Sequence, residues 1–237
     1  MNSFVEKFNI FDLFTMLIPG IIISTLFGIS LSFKYYDLWM SLGNEKYVCF
    51  FIFCYLCGVI YQEIGTIADN IFFYKILYGG KPKEIFLLNN KYEKILGDDI
   101  LYNDAVQVKN FFRNKLIINN IKITDAKQEK QLNAEVFSHC LSMAEKDNIT
   151  FKADKMLVIS EMSRSLFWGF ITIICLNLYM ILKHSLYYKF YYFETFCLVI
   201  LSIIFLHRKV RYEKYRFHIL IRTFLLHIKL GQDKKSR

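Results

Sequence analysis

Four apolar runs divide the chain, at about residues 10–33, 47–62, 166–182 and 190–206. A helix needs about 20 residues to cross the roughly 30 Å hydrocarbon layer of a bilayer, and about 17 to 25 are tolerated with tilt. Each run is therefore predicted to be a membrane-spanning helix. Too little amphipathic sequence remains to cover four such helices in a soluble core.

The four predicted spans form two hairpins separated by polar sequence. Residues 1–62 form the first hairpin and residues 164–206 the second. Residues 63–163 are predicted to be a small, mostly α-helical module inserted between spans 2 and 3, and residues 207–237 a basic amphipathic helix. The predicted fold class is mainly α.

The inserted module contains further helical patterns. The second span is expected to continue as a stalk to Gly79, and helices are predicted over residues 99–116 and 125–146. Residues 154–163 lead as a helix into the third span. The segment KLIINNIKIT, residues 115–124, fits a strand or a loop equally well.

Composition and charge sharpen this picture. The chain is 54% hydrophobic and 18% aromatic, which suits lipid-facing helices with aromatic rings at both membrane surfaces. The net charge is +9, and most of it lies in residues 207–237, where ten Lys and Arg stand against Glu213 and Asp233. The positive-inside rule therefore predicts a multi-pass protein with both termini and the module in the cytoplasm.

The basic tail has two possible partners. Interleaved cations and apolar residues favour an amphipathic helix on anionic inner-leaflet lipids, and nucleic acid is the less favoured alternative because no nucleic-acid-binding motif accompanies the charge. The apolar side chains expected in the membrane surface are Phe217, Leu220, Phe224 and Leu225. The cations expected among the headgroups are Arg208, Lys209, Arg211, Lys214, Arg216 and Arg222.

Several residues are candidates for gating or for structural roles. Asp12 is interpreted as a helix cap, with an ion path as the alternative. Pro19 and Gly20 predict a kink in the first span, either structural or a hinge. Arg164 is expected to pair with Glu63 or Asp69, as a fixed clamp or as a state-dependent latch.

Catalytic and metal-binding motifs are absent from the sequence. It lacks H-E-x-x-H, G-x-G-x-x-G, Walker A and G-x-S-x-G patterns, so no catalytic, cofactor-binding or metal-binding residue is assigned and the protein is not predicted to be an enzyme. Cys54-x-x-Cys57 allows a redox or zinc interpretation, but without a second pair inside an apolar run it favours core packing. Asn177 in the third span is interpreted as a contact between helices.

Short patches resemble a group of uncharacterised bacterial four-span membrane proteins. These patches are FDLFTMLIPG, CGVIYQEIG, MSRSLFWGF and RYEKYRFHILIRTFL, and they leave the module unmatched. Similar small membrane proteins with a cytoplasmic domain include effectors of anti-phage defence, which implies location in the inner membrane.

The resemblance and the residue pattern together suggest a function. We expect a homo-oligomer whose module senses a cytoplasmic protein partner or signal, and whose spans change membrane permeability or anchor a complex. A small-solute transporter or a lipid-modifying membrane enzyme is the alternative, for which paired charges inside the spans would be expected.

Overall fold

A computed structural model describes residues 13–41, 45–77, 107, 108, 110, 126–146, 151–183 and 188–233. These residues are almost entirely helical and include no strand. The α-helices are α1 (Ile18–Ser41), α2 (Glu45–Asp69), α3 (Ala126–Lys146), α4 (Phe151–Leu182) and α5 (Tyr188–Asp233). A π-helical turn, Leu13–Leu17, precedes α1, and another, Asn70–Leu77, follows α2. The predicted mainly α fold is confirmed for this part of the chain.

Four of the helical segments are long and apolar enough to cross a membrane, as predicted. They are Leu13–Ser30, Tyr47–Phe72, Lys152–Leu182 and Lys189–Leu226. Large apolar side chains lie exposed along them, including Phe53 on α2 and Phe196 and Ile203 on α5. Apolar surface on this scale needs a cover other than water.

The chain divides into two compact units. Unit 1 comprises residues 1–67 and 158–212, and unit 2 comprises residues 68–157 and 213–237. Three helices contribute residues to both units, because α2, α4 and α5 each run across a unit boundary without a break. The region of the predicted helix 99–116 lies mostly outside the described residues, as does the whole of segment 115–124.

Pro19 explains the irregular start of the first span. Proline has no backbone N–H, and its ring clashes with the carbonyl four residues earlier, here that of Thr15. The chain accommodates this with the wider π-helical turn Leu13–Leu17 and becomes α-helical from Ile18 onwards. The local distortion predicted from the sequence thus takes the form of a widened turn.

Helices α1 and α2 meet backbone to backbone at two glycines. A Cβ atom built on Gly20 would lie 2.8 Å from the carbonyl carbon of Cys54 and 3.0 Å from the amide nitrogen of Gly58. A Cβ built on Gly58 would in turn lie 2.6 Å from the carbonyl carbon of Met16. The obstructing atoms belong to backbone and cannot move aside, so only glycine fits at either position.

Helix α4 packs on the first hairpin through two further glycines. The Ile23 side chain of α1 fills the space beside Gly169, where an added Cβ would lie 2.6 Å from Cγ1. On α2, Gly65 leaves room for Arg164 and Trp168 of α4. The apolar centre of unit 1 then consists of buried side chains from α1, α4 and α5, namely Ile23, Leu166, Phe170, Ile173 and Leu198.

Unit 2 has a core of its own. Buried residues recur along one face of α3 and along the last third of α5, and Phe137 meets Phe217 with their ring centroids 5.0 Å apart. The hydroxyl of Tyr74 donates a 2.8 Å hydrogen bond to Glu213 Oε1. The predicted helix over residues 125–146 is confirmed as α3.

The structure differs from the prediction that the C-terminal residues form a separate helix on the membrane surface. Residues 207–233 continue the fourth apolar run as part of α5, which has 46 residues. The four side chains expected in the membrane surface are instead buried by protein: Phe217, Leu220, Phe224 and Leu225. The amphipathic pattern was recognised correctly, but its apolar face is covered by the core of unit 2.

The glycine contact predicts a position-specific effect of a single methyl group. Gly20→Ala or Gly58→Ala should destabilise the protein by about 1–3 kcal/mol or more, because the methyl meets fixed backbone atoms. Gly28→Ala is the matched control, since nothing lies within 4 Å of its added Cβ and the gain in helix propensity is the same. Thermal unfolding in detergent measures all three, and equal midpoints for Gly20→Ala and Gly28→Ala would contradict the contact.

Cys140 predicts a pH-dependent effect in unit 2. Burial raises the pKa of its thiol to about 12 from an ordinary value near 9. Folding thus favours the protonated thiol, so this contribution to stability is present below about pH 9 and is lost as pH rises towards 12. Iodoacetamide at pH 8 should leave Cys140 unmodified until the protein unfolds, whereas His139→Cys, at the exposed neighbouring position, should react in the folded state. Peptide mass spectrometry reads both, and rapid labelling of native Cys140 would refute the prediction.

Candidate functional site: a buried carboxylate between three helices

Glu194 is an acidic side chain buried inside unit 1. It lies in the second turn of α5, within an apolar stretch, and is 8% exposed. Carboxylates are rarely buried unless they are hydrogen-bonded and compensated. Its surroundings therefore define the most unusual chemistry in the described part of the chain.

Two neutral side chains from two other helices donate to this carboxylate. Ser30 Oγ of α1 lies 3.2 Å from both Glu194 Oε1 and Oε2. Asn177 Nδ2 of α4 lies 3.0 Å from Oε2. Because a serine hydroxyl has only one hydrogen, the Ser30 bond is shared between the two oxygens. One carboxylate thus ties together α1, α4 and α5.

Tyr191 supports the same site from one turn away on α5. Its hydroxyl donates a 3.2 Å hydrogen bond to the backbone carbonyl of Ser30. That carbonyl accepts the tyrosine while the Ser30 hydroxyl is directed at Glu194. Tyr191 is buried, so both ends of Ser30 are held by α5.

No basic side chain of the described residues pairs with Glu194, whose hydrogen bonds come from Ser30 and Asn177. Directly after α4, Lys183 is exposed and its Nζ lies 4.8 Å from the centroid of the Tyr179 ring. Lys189 on α5 is also exposed. The carboxyl group of Glu194 thus meets neutral donors in this part of the chain.

The other buried hydroxyls of α4 are satisfied within helices or by a neighbour. Ser163 and Ser165 each donate to the carbonyl four residues earlier, at 2.7 and 3.2 Å. Ser160 instead crosses to α5 and donates to the backbone carbonyl of Lys209 at 3.2 Å. The interpretation of Asn177 as a contact between helices is confirmed by its bond to Glu194.

The candidate residues that the sequence predicts in and after the first hairpin lie in different environments. Asp12 lies outside the described residues. Pro19 and Gly20 are buried, and Gly20 forms the close contact with α2. The two acids of the polar stripe differ, because Glu63 is exposed whereas Asp69 is buried and belongs to unit 2.

Arg164 packs through its aliphatic stem beside Gly65 of α2. Its Cγ lies 3.1 Å from the position of a Cβ on Gly65. Within the described residues the Nε atom of Arg164 is a buried donor without a hydrogen-bond acceptor, and its pairing with the exposed Glu63 stays a prediction. Its pairing with Asp69 stays a prediction.

The predicted membrane-surface cations are not equivalent. Arg208, Arg211 and Arg222 are exposed, and the Arg208 guanidinium lies 5.6 Å from the centroid of the Tyr212 ring. Lys214 and Arg216 are partly buried. Lys209 is 2% exposed, so its ammonium group does not reach the surface in this structure. It is the one predicted headgroup contact that packing removes.

Glu194 itself was missed as a candidate, although the sequence carried a signal. It lies inside the apolar stretch FYYFETFCLVILS, and an acid in a predicted span is a functional candidate by default. The charge count used for orientation assigns Glu194 to the loop that precedes the fourth span. Ser30 and Tyr191 carried no such signal, because serine and tyrosine are ordinary in membrane helices.

Comparison with known proteins does not identify a relative. No protein family, curated protein sequence or solved structure matches this chain. Among the described residues, no group of three or more His, Cys, Asp or Glu side chains is arranged to hold a metal ion.

The site predicts a graded effect of removing its donors. Asn177→Ala and Ser30→Ala should each lower the stability of unit 1 by about 1–3 kcal/mol, because a buried charge loses a hydrogen bond. Tyr191→Phe should cost less, about 0.5–1.5 kcal/mol, since its partner is an uncharged carbonyl. Thermal unfolding in detergent orders the variants, and a larger loss for Tyr191→Phe than for Asn177→Ala would argue against this geometry.

Proposed function

We propose that the protein is a non-enzymatic, oligomeric protein of the bacterial inner membrane that converts a cytoplasmic signal into a response of its spans. The module in unit 2 would sense a protein partner or another signal. The spans in unit 1 would then alter membrane permeability or hold a complex at the membrane. Anti-phage defence is the setting that the sequence resemblance suggests.

The observation that carries this proposal is the continuity of three helices. α5 contributes residues 188–212 to unit 1 and residues 213–233 to unit 2. α4 and α2 cross the same division, and no loop interrupts them at the boundary. A continuous helix is one physical means by which packed elements transmit a switch.

Charge and exposure support the remaining parts of the proposal. The excess of Lys and Arg after residue 207 favours a cytoplasmic C-terminus, and the four candidate spans of the described residues are consistent with an N-terminus on the same side. The exposed apolar faces of α2 and α5 provide surface for lipid and for further copies of the chain.

A small-solute transporter is the second candidate, and one observation favours it. Ionisable groups within spans often mark ion or substrate paths, and Glu194 is such a group. A transporter would move its solute without a trigger, which separates the two candidates experimentally.

Reconstitution tests the proposal directly. Purified protein in liposomes filled with a self-quenching dye should remain tight, and should leak after addition of cytosol from phage-infected bacteria but not from uninfected cells. Its mass in detergent should correspond to two or more copies. Solute-selective flux without any cytosol would support the transporter instead. A silent monomer that retains no cytosolic partner would refute both arms of the proposal.

A break in α5 should uncouple the response. Arg211→Pro places a helix breaker beside the unit boundary, at a cost of about 3 kcal/mol relative to alanine, and should abolish triggered leakage. Arg211→Ala removes the same exposed charge but keeps the helix, so leakage that is lost in Arg211→Pro and kept in Arg211→Ala is due to the break. If Arg211→Pro fails to fold by circular dichroism, Arg211→Gly is the milder substitute. Normal triggering in a folded, helix-broken variant would contradict transmission through α5.

A further inference from the structure

The Glu194 site has hydrogen-bond donors but lacks a compensating charge among the described residues. Ser30 and Asn177 each donate one neutral hydrogen bond to its carboxylate. Moving a carboxylate out of water costs several kcal/mol even after relaxation, and neutral donors recover only part of this. A bare anion among apolar helices therefore calls for a positive charge from another source.

The side chains that the structure describes around the site do not supply it. The positive end of the α5 dipole acts mainly within the first turn, and Glu194 lies in the second. Tyr191 is the titratable group that faces the site from α5, and the neighbours on α1 and α4 are the neutral Ser30 and Asn177. Lys34 follows Ser30 by one turn of α1. The variant Lys34→Gln, described below, tests whether Lys34 supplies the positive charge.

The site offers an oxygen-rich environment suited to a cation. The hydroxyl oxygen of Ser30 lies 3.2 Å from each of the two carboxylate oxygens of Glu194. Asn177 is fully buried, and its Oδ1 has no hydrogen-bond partner among the described residues. Rotation of this amide by about 180° exchanges Nδ2 and Oδ1, which would direct an unpartnered acceptor at the carboxylate.

We propose that Glu194 binds one monovalent cation, a proton or a sodium ion, together with Ser30 and Asn177. A proton on the carboxyl group would be donated to the rotated Asn177 Oδ1, with Ser30 still bonded to the other oxygen. A sodium ion would be bound by the same oxygens, which are the hard ligands that such ions prefer. Either cation neutralises the buried charge.

Cation occupancy then controls how firmly α1, α4 and α5 are held together. With the cation bound, the site is a neutral cluster that joins three helices. Without it, the same helices enclose an uncompensated negative charge. This inference concerns unit 1 alone, so it stands or falls independently of the proposed signalling function.

Thermal unfolding of the full chain in detergent provides the first test. Two titrations are compared at constant ionic strength: sodium replacing choline at pH 8, and pH from 5 to 9 in choline chloride. Each tenfold rise in the concentration of the bound cation above its Kd should raise the unfolding midpoint by about 3–6 °C. A response to pH alone identifies the proton, and a response to sodium at pH 8 identifies the sodium ion.

Variants assign the response to this site. Glu194→Gln keeps the size of the side chain and removes its charge. The unfolding midpoint of this variant should therefore no longer rise with the concentration of the bound cation. Glu145→Gln removes a carboxylate from an exposed position of α3 and should behave as wild type. A wild-type midpoint that is independent of both cations, or a wild-type response retained in Glu194→Gln, overturns the proposal. If the wild type is unresponsive and Lys34→Gln becomes cation-dependent, Lys34 is the counter-charge and the proposal is again refuted.

Carbodiimide labelling keeps the test decisive if Glu194→Gln does not fold. A hydrophobic carbodiimide reacts with protonated carboxyl groups in apolar surroundings, so peptide mass spectrometry of the native wild type should find Glu194 modified. Labelling should slow as pH rises from 5 to 9, and should slow further with sodium if sodium competes for the site. Glu145, in contact with water, is the internal control. Absence of Glu194 modification at every pH, together with a flat unfolding curve, would rule out the cation site.

Discussion

The backbone contact at Gly20 and Gly58 is the constraint on which the arrangement of unit 1 depends. Lipid is as apolar as a leucine side chain, so helices within it gain little from burying apolar surface and associate through close packing and polar contacts. Two reciprocal glycines allow α1 and α2 to touch, and Gly169 and Gly65 then admit side chains of α1 and α4 at neighbouring contacts. The large side chains of α2, such as Phe53, are consequently left facing outwards.

Polar contacts complete the packing that the glycines begin. Glu194 joins α1, α4 and α5 through Ser30 and Asn177, at a point where three apolar helices would otherwise have little specificity for one another. Ser160 adds a second link between α4 and α5 by donating to the carbonyl of Lys209. Such bonds are worth only about 1 kcal/mol each between membrane helices, but they fix depth and rotation, which apolar contacts do not.

The long helices connect this packing to a second core. The apolar face of α5 beyond residue 213 is covered by protein, with Phe217 against Phe137 of α3. Helix α5 thus contributes residues to both cores. The two cores differ in chemistry, because unit 2 has an amphipathic helix with exposed polar residues such as Glu135, whereas the spans of unit 1 are apolar almost throughout.

Local sequence was enough to predict the four described helices that are long and apolar enough to span a membrane, the helix over residues 126–146, the continuation of the second helix and the distortion before Pro19. Apolar run length and proline chemistry act within a few residues. The sequence also indicated that Asn177 contacts another helix, but it did not identify the residue that Asn177 contacts. The partners of Glu194, the burial of Lys209 and the covering of Phe217 required tertiary structure, since each depends on residues far apart in sequence. The sequence shows that a helix has an apolar face, and such a face must be covered. Only the tertiary structure decides whether lipid or protein covers it.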